Sequence, residues 1–421
     1  MSTTSTDQAP APTSPIRHVL ASRLYLASTI AMFLSGLGFS AAAPQIAIFL
    51  VRDLGASLTV AGLFYLTNLT APIAGYLVGA RSDRTGRRLG LFRVCAILGF
   101  VGWAAIAAST QVWMAFVISA LVLGFSGAAG SQLFAAVHDE LVRRPESGGD
   151  GVVAIIRMAL TAGWVVGPVV GAALAAQWGL RPMLFTTALC TLAQILPLGL
   201  MRTPPAAPAW AVTPGPDDAA AGAVAPVPEA ARPTVRVMLP LLAFTGLYIL
   251  VYAGESVKYA FLPIYMNEDL GLAPTVSGAV IGIQPLVELI IMPFSVLLAR
   301  RFGYLRLMGF GAALGVAANL CFALLGSAAG MFAGQILMGG VWGIFAALGI
   351  IVAQRLLPSA VATASAIFMS STAISSALGG LTGGVGVAVL GLPLVYLLPA
   401  AYGVLATVGL LVMARTTQVD R

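Results

Sequence analysis

The chain has 421 residues, of which 59% are hydrophobic and 9% are charged, and its mean hydropathy is +0.95. Soluble globular domains are about 45–50% apolar, so this composition predicts an integral membrane protein. The apolar residues run in continuous blocks without period-two alternation, which argues against a β-barrel and predicts an all-α fold. The net charge of +7 does not indicate nucleic-acid binding, because the arginines stand singly and in pairs between apolar blocks.

The first 22 residues are rich in Ser, Thr, Ala and Pro and have no basic segment ahead of an apolar core. They are expected to form a disordered tail and not a signal peptide. Beyond them, hydropathy predicts a polytopic membrane protein with twelve transmembrane helices. Their expected bounds are 23–51, 58–80, 89–108, 112–140, 152–177, 181–201, 237–267, 275–299, 304–326, 330–357, 361–389 and 392–414.

A Pro- and Ala-rich stretch, residues 203–236, is the longest polar interruption and predicts a linker. It divides the chain into a first half at 23–202 and a second half at 237–415, each with six predicted helices, and residues 416–421 follow as a tail. Two such halves imply two pseudo-symmetric six-helix bundles with a cavity between them.

The arginines also predict an orientation. Eighteen of them fall on the side of the membrane that carries the N-terminus, and only Arg52 and Arg181 fall on the other side. The positive-inside rule therefore places both termini and the linker in the cytoplasm. The three cysteines lie far apart inside apolar blocks, and the sequence contains no metal-ligand spacing, nucleotide-binding loop or nucleophile constellation. We expect no metal site, no cofactor and no enzymatic activity.

The second and third predicted helices are joined by a charged segment, residues 79–88, that is expected to form a tight polar hairpin. It matches G-x-x-x-D-R-x-G-R-R, and the chain therefore resembles the major facilitator superfamily, whose members carry this signature in the same loop. The resemblance implies that Asp83 locks onto the opposite half in the outward-open state, as a switchable charged latch. The alternative is a basic turn that only anchors the topology. The residues to which we assign gating are Gly79, Asp83, Arg84, Gly86, Arg87 and Arg88.

The fifth predicted helix carries Gly163, Gly167, Pro168 and Gly171. Glycines four residues apart lie on one helix face and allow close approach of a second helix, while the proline bends the helix. The segment resembles the G-x-x-x-G-P-x-x-G-G motif of exporters of this superfamily that exchange substrate for protons, with Ala172 at the final position. Packing of small residues alone is the alternative explanation.

The core from about residue 36 to residue 412 resembles the bacterial sugar efflux transporters of the superfamily. In helix seven the chain departs from them, because Phe261 stands where an acidic residue is expected, and Glu255 and Lys258 appear instead. The residues that carry the resemblance are Leu63, Phe64, Tyr65, Asn68, Gln132, Leu133, Phe134, Ala135, Arg157, Trp164, Gly167, Pro168, Glu288, Gln354 and Pro358.

This resemblance implies a secondary active transporter of a bacterial inner membrane that exports sugars or glycosides with proton coupling, by alternating access. Its partners would be a small-molecule substrate, protons and the lipid bilayer, and it would act as a monomer. A multidrug or antibiotic exporter of the same superfamily is the alternative within transport. A non-transporting membrane sensor is the alternative from another class, but the tails and the linker are too short to supply an output domain.

Ionisable residues inside a membrane are costly, so each is a functional candidate. Glu288 lies deep in the eighth helix, where its carboxyl group could alternate between protonated and ionised forms and share a hydrogen bond with Gln284; otherwise it is a structural partner between helices. Glu255 and Lys258 are adjacent on the surface of the seventh helix. They either couple a proton to movement of Lys258 or simply neutralise each other for insertion.

The first half adds a smaller set of polar candidates. Asn68 and Gln132 are candidates for substrate binding, on the faces of helices two and four. Asp139 lies at the cytoplasmic end of helix four and is either a gate or a surface charge. Arg157 either snorkels to the interface or pairs with Asp139 or Glu140, and we list it with Asp139 among the coupling candidates.

Tyr248, Tyr252 and Tyr259 are spaced along helix seven so that they share one stripe with Glu255. Aromatic faces stack on the C–H faces of sugars while hydroxyl groups form hydrogen bonds, so the stripe suits a neutral polyhydroxy ligand, although it would also suit an aromatic drug. Gln335 and Trp342 are seven residues apart on helix ten and are expected to close the cavity from the other side.

Overall fold

The structure, a computed structural model, describes residues 15–143, 149–201, 235–417 and 419. These residues form helices and short connections, with no strand among them. Eleven helices in these ranges are long and apolar enough to cross a membrane, and a shorter apolar helix completes the predicted twelve. The helices are α1 Arg23–Arg52, α2 Leu58–Thr85, α3 Arg88–Ala108, α4 Val112–Arg143, α5 Gly149–Trp178, α6 Leu180–Ala193, α7 Val235–Ile264, α8 Pro274–Phe302, α9 Tyr304–Leu324, α10 Ala328–Leu356, α11 Val361–Leu390 and α12 Leu397–Thr416.

Each predicted span overlaps one of these helices, and α6 differs most from its prediction. Regular helix ends at Ala193 instead of continuing to residue 201, and the chain proceeds through hydrogen-bonded turns. Arg93 of α3 holds this end of the half by donating hydrogen bonds to the carbonyl oxygens of Gly199 at 3.1 Å and Met201 at 2.5 Å. The predicted linker lies outside the described residues, apart from its last two residues, with which α7 begins.

The predicted disordered tail is wrong for residues 15–21, because Pro15–Ala21 form a helix. Val19 in this helix is 4% exposed and packs in one apolar cluster with Tyr25 of α1 and Ile156 of α5. Burial of this side chain stabilises a helix that is too short to show in a hydropathy profile. Residues 1–14 of the predicted tail lie outside the described residues.

The charged segment between α2 and α3 is mostly helix and not the predicted hairpin loop. α2 continues to Thr85, and only Gly86 and Arg87 lie between the two helices. Gly86 has φ = 64°, and its N–H donates to the carbonyl oxygen of Ser82 at 2.8 Å. A left-handed residue at this position ends a helix, and glycine adopts that conformation without strain.

The two halves repeat one packing scheme. In the first half the main contacts pair α1 with α5, α2 with α4, α3 with α4 and α3 with α6. In the second half they pair α7 with α11, α8 with α10, α9 with α10 and α9 with α12. These are the same four pairs moved by six helices, so the pseudo-symmetric bundles expected from the sequence are confirmed. The halves meet where α5 packs on α8 and α2 packs on α11.

The glycines of α5 bring it against α1 within the first half. A Cβ atom at Gly167 would lie 1.8 Å from Ser40 Oγ, and one at Gly171 would lie 2.6 Å from the carbonyl oxygen of Ala41. Pro168 lies on a different side of α5, where its carbonyl oxygen would be 2.6 Å from a Cβ atom at Gly278 of α8. The segment therefore joins three helices, two in one half and one in the other.

Gly167→Val should destabilise the protein by about 1–3 kcal/mol or more, because the new side chain overpacks the contact with α1. The matched control is Gly127→Val, since a Cβ atom at Gly127 in α4 would meet nothing within 4 Å. Thermal unfolding of both variants in detergent measures the difference. An equal loss of stability in the control would mean that helix propensity, and not the close approach, sets the effect.

Candidate functional site

The two halves contact each other over only part of their length. α11 packs along residues 58–70 of α2 and barely touches residues 71–85. A Cβ atom at Gly62 would lie 2.7 Å from Gly384 Cα of α11, whereas one at Gly75 would meet nothing within 4 Å. The halves are thus separated at the end of the bundle where α2 leads into α3, the open end, and joined at the opposite end, the contact end.

An ion pair joins the halves at the contact end. Arg52, at the end of α1, lies 2.8 Å from Glu268 in the π-helix Tyr265–Asp269 that continues α7. A second pair at this end, Arg181 and Asp53 at 3.6 Å, lies within the first half. Sequence reasoning missed the role of Glu268, although its place in a loop on the same side as Arg52 was an available signal.

Glu268→Gln should weaken closure of the contact end. Both side chains of the Arg52 pair are more than 40% exposed, and exposed pairs contribute about 0.2–1 kcal/mol, so we expect up to about a fivefold shift in population. Spin labels on cysteines introduced at Gln111 and Ala273 should then report a larger share of long distances between the halves. Asp53→Asn is the matched control, because its pair does not cross between halves; an equal shift in that variant would contradict the assignment.

Three helices meet at Ser376 of α11. Asn68 of α2 donates to Ser376 Oγ at 2.8 Å, and Ser256 of α7 donates to the same atom at 3.3 Å. Ser376 Oγ in turn donates a hydrogen bond to the carbonyl oxygen of Tyr65 at 3.4 Å. Asn68, predicted to bind substrate, is therefore part of the contact between halves in this conformation. Neither Ser256 nor Ser376 stands in a sequence pattern that would predict this contact.

A charge cluster ties α7 to α8 in the second half. Lys258 is fully buried, forms an ion pair with Glu255 and donates a hydrogen bond to Gln284 Oε1. Gln284 Nε2 donates to Glu255 Oε1 at 2.7 Å, which closes the ring, and the ammonium lies 4.3 Å from the ring centre of Tyr259. Buried charges are tolerated when they are paired and hydrogen-bonded, and this cluster meets that condition. Gln284 thus bonds to Glu255 and Lys258, and not to Glu288 as we had expected.

Glu288 stands beside this cluster with a carboxylate available to a ligand. It lies one turn from Gln284 along α8, toward the open end, and interacts electrostatically with Glu255 and Lys258. It is half-buried, and within the described part of the chain it has no hydrogen-bond or ion-pair partner. A Cβ atom at Gly343 of α10 would lie 3.4 Å from its backbone oxygen, so Glu288 borders α10 next to Trp342.

Aromatic rings surround these charged groups. The ring centres of Tyr252 and Trp342 are 4.5 Å apart, and those of Tyr259 and Trp164 of the first half are 6.5 Å apart. Glu288 acts electrostatically on both tyrosines. Within the described residues, the buried indole N–H of Trp342 has no hydrogen-bond partner. Aromatic rings that interact with Glu288 and one free indole N–H thus lie in the same region as its carboxylate, an arrangement suited to a polyhydroxy ligand.

Other predicted substrate residues occupy different surroundings. Tyr248 stacks on Tyr252, but its ring is buried and packs 4.7 Å from that of Phe368. Gln132 is buried in the first half with its Oε1 unpartnered. Gln335 is fully buried, and neither of its amide atoms has a hydrogen-bond partner among the described residues.

At the open end, Arg88 connects the predicted gating segment to α4. Its guanidinium lies 2.6 Å from Asp83 and 3.1 Å from Asp139, and it also donates to Ser82 Oγ at 2.9 Å. Asp139 therefore pairs with Arg88, which reaches it from the start of α3, and not with Arg157. Arg157 instead lies over the ring of Phe134, 5.9 Å from its centre. The Asp83 side chain is 73% exposed and thus open to a further partner.

The remaining predicted gating residues lie on the same surface. Arg84 and Arg87 are exposed, and a Cβ atom at Gly79 would meet nothing within 4 Å. Glu140, the other acid predicted to pair with Arg157, lies 2.5 Å from Arg143 on its own helix. The structure thus brings Asp83, Asp139 and Arg88 together within the first half.

Two repeated six-helix bundles, joined at one end and separated at the other around charged and aromatic groups, define the class of two-bundle membrane transporters. The sequence profile of the Major Facilitator Superfamily matches residues 28–248 and 244–420. The chain belongs to this superfamily, which confirms the resemblance of its charged segment. It is a multi-pass membrane transporter and not an enzyme.

Two sugar efflux transporters match this sequence over most of its length, and a multidrug resistance protein matches about a third of it. A Deinococcus radiodurans protein described as a sugar efflux transporter is 29% identical over 388 residues, which is 90% of this chain and 95% of that protein. Sugar efflux transporter A of Escherichia coli is 25% identical and covers 86% of this chain and 88% of its own length. Multidrug resistance protein MdtG of Proteus mirabilis is 29% identical, but the match covers 37% of this chain and 39% of that protein.

Solved structures share the fold at lower sequence identity. The nucleoside transporter NupG, as its D323A mutant, superposes with a TM-score of 0.78 at 16% identity over 93% of this chain and 99% of its own. A D-xylose–proton symporter superposes with a TM-score of 0.68, also at 16% identity, over 92% of this chain and 96% of its own. These likenesses establish the helical architecture.

Proposed function

We propose that this protein exports sugars or glycosides from the bacterial cell in exchange for protons. The observation that carries the proposal is the half-buried, partnerless carboxylate of Glu288 beside Tyr252 and Trp342. The sugar efflux relatives match 86–90% of the chain, whereas the match to the multidrug protein covers 37%. We therefore prefer sugar export to drug export, which remains the alternative.

The proposed orientation follows from the arginines, with both termini and the linker in the cytoplasm of a bacterial inner membrane. The open end carries residues 79–88 and would face the cytoplasm, so the structure would correspond to an inward-open conformation. Alternating access would then close the open end and separate the contact end. We propose that one monomer performs the whole cycle, because its cavity is formed by its own two halves.

Proton coupling is proposed to act through Glu288. An ionised carboxylate is costly in a dehydrated, closed cavity unless hydrogen bonds or a proton satisfy it. In the outward step, sugar hydroxyl groups would donate to the carboxylate; in the return step, a proton would take their place. The sugar and the proton would each satisfy Glu288, and they would compete for it. Export of the sugar would therefore be exchanged for entry of the proton. Glu255 and Lys258 complete the proposed coupling group.

The sugar itself would bind between the aromatic rings and the unpartnered polar groups. Tyr252, Tyr259 and Trp342 offer ring faces for stacking. Gln335 and the indole N–H of Trp342 offer free hydrogen-bonding atoms. In the conformation with the contact end open, Asn68 would leave Ser376 and become available to the sugar as well. Gln132 and Tyr248 remain proposed contributors at the edge of the cavity.

Gating is proposed to use Asp83 and Asp139, which Arg88 holds within the first half in this structure. Asp83 is largely exposed and faces the separated open end. When that end closes, Asp83 would turn to the second half, where the last turn of α8 carries Arg300 and Arg301. Asp139 would then remain with Arg88. The glycine motif of α5 is proposed to serve this movement by keeping α5 tight against α1 while Pro168 contacts α8.

Accumulation assays test the proposed substrate class. Cells with and without the protein are given radiolabelled lactose, methyl glucoside or a cationic dye, at several external pH values. Export of the sugars that grows with the inward proton gradient is the expected result. Unchanged sugar accumulation together with raised dye efflux would overturn the sugar proposal in favour of a drug exporter. Unchanged accumulation of all three would argue against both.

A further inference from the structure

One ammonium in the second half lies within reach of two carboxylates, yet it contacts only one of them. Lys258, the single lysine of the chain, pairs with Glu255, while Glu288 has no partner among the described residues. Both carboxylates act on Lys258 electrostatically. The distribution is uneven, because the half-buried carboxyl group of Glu288 has no contact with Lys258, the one cation among the described residues that acts on it electrostatically.

Gln284 accounts for this uneven distribution. Its amide oxygen accepts a hydrogen bond from Lys258, and its amide nitrogen donates to Glu255 at 2.7 Å. An amide has one acceptor and one donor end, so in this orientation it can bridge only an ammonium and a carboxylate that are already together. Glu288 lies one turn away, at about 6 Å of helix rise from Gln284. The amide therefore favours the position of the ammonium at Glu255.

We propose that Gln284 is a positioning residue whose amide holds Lys258 on Glu255 and thereby keeps the carboxylate of Glu288 free for a sugar hydroxyl group or a proton. Without the amide, Lys258 loses one of its two hydrogen-bonding partners, and its flexible side chain reaches Glu288. Glu288 is then neutralised from inside the protein. This inference rests on the proposed function for its consequence in transport, but not for its geometry.

The other groups that face this site do not set the charge state of Glu288. The tyrosines of α7 that interact with Glu288 are Tyr248, Tyr252 and Tyr259, and Tyr65 of α2 interacts with the last of these. In the described chain, α5 packs on this part of α8 through Val165, Pro168 and Val169, and α10 packs on it through Gly339 and Gly343. None of these contacts supplies a charge, so Glu255 and Lys258 remain the two ions that set the state of Glu288.

Carbodiimide modification tests the proposal without sugar or transport. Dicyclohexylcarbodiimide reacts with protonated carboxyl groups in membranes, and mass spectrometry of the purified full-length protein reports the reaction at Glu288 separately from Glu255. In Gln284→Met, the pH at which labelling of Glu288 is half-maximal should fall by about one unit or more, because a cation within about 4–6 Å favours the ionised carboxylate. Gln284→Asn, whose shorter amide cannot bridge both ions, should shift it in the same direction.

A background without the ion pair separates positioning from simple packing. In Glu255→Gln with Lys258→Met, the further change Gln284→Met should leave the labelling midpoint of Glu288 where it was. An equal shift in both backgrounds, or no shift with the ion pair present, would overturn the proposal. Because labelling needs no substrate, failure of sugar export would leave this result intact. If export holds, Gln284→Met should raise the KM for sugar by about tenfold with a smaller change in kcat.

Discussion

Glu288→Gln is expected to abolish the pH dependence of sugar export while sugar binding persists. The amide retains the size of the carboxyl group and can accept a hydroxyl hydrogen bond, but it cannot take up a proton. A hydrogen bond to a charged group contributes about 1 kcal/mol more than one to a neutral group, so binding should weaken by about fivefold. Sugar binding by calorimetry and export at pH 5.5 to 8, measured on the same preparation, check both parts.

Glu268→Gln provides the chemical control for this experiment. It is the same substitution on the neighbouring helical element, but Glu268 is exposed and pairs with Arg52 at the contact end. Export by this variant should keep its pH dependence even if its rate changes. Proton-driven export that persisted in Glu288→Gln would exclude Glu288 as the coupling site and would leave Glu255 as the candidate.

Lys258→Met is expected to be among the most destabilising single substitutions in the membrane core. It removes the cation from a buried cluster and leaves the carboxylate of Glu255, which is 9% exposed, without its ion-pair partner. Breaking one side of a buried ion pair costs about 3–5 kcal/mol. Met fills a similar volume, so the loss should come from charge and not from a cavity. Thermal unfolding of the purified protein in detergent gives the comparison.

The matched variant removes both charges. Glu255→Gln together with Lys258→Met removes both ions of this pair and should recover most of the stability lost in Lys258→Met, because replacing a buried pair as a unit is often nearly neutral. Wild-type stability in the single variant would contradict the account. It would mean that Glu255 takes up a proton at no measurable cost and that the ion pair does not hold α7 to α8.

Much of the fold could be predicted because the membrane imposes it. Continuous apolar blocks of fixed length locate spanning helices, and a Pro-rich interruption locates the division between halves. A hydropathy profile does not locate helical segments that are highly charged or very short. The charged residues up to Thr85 continue α2 as helix, since their side chains project from its end, and the short helix Pro15–Ala21 is stabilised by the burial of Val19.

The candidate site was predictable within helices and less so between them. The adjacency of Glu255 and Lys258 follows from a spacing of three on one helix. The partner of Gln284 depends on how α7 and α8 are placed against each other, which a single sequence does not encode in any local pattern. The same limit applies to Asp139, whose carboxylate could pair with Arg157 or with Arg88. It pairs with Arg88 because the short connection into α3 brings Arg88 close to α4.

The contact between halves shows a further limit. Ser376 joins Asn68 and Ser256 in this structure, in which the contact end is closed, and a sequence pattern carries no signal for one conformation over another. Asn68 was therefore predicted as a cavity residue because only its helix face could be known. Its present hydrogen bond and its proposed role in binding belong to different steps of the cycle.

Reconstitution into liposomes tests most directly whether sugar leaves as a proton enters. The purified protein is reconstituted into liposomes that contain methyl glucoside and a pH-sensitive dye, and the external medium is then acidified. The account predicts sugar efflux that accelerates with the proton gradient and an acidification of the lumen that requires both the sugar and Glu288. Sugar efflux at the same rate with no sugar-dependent proton entry would contradict it.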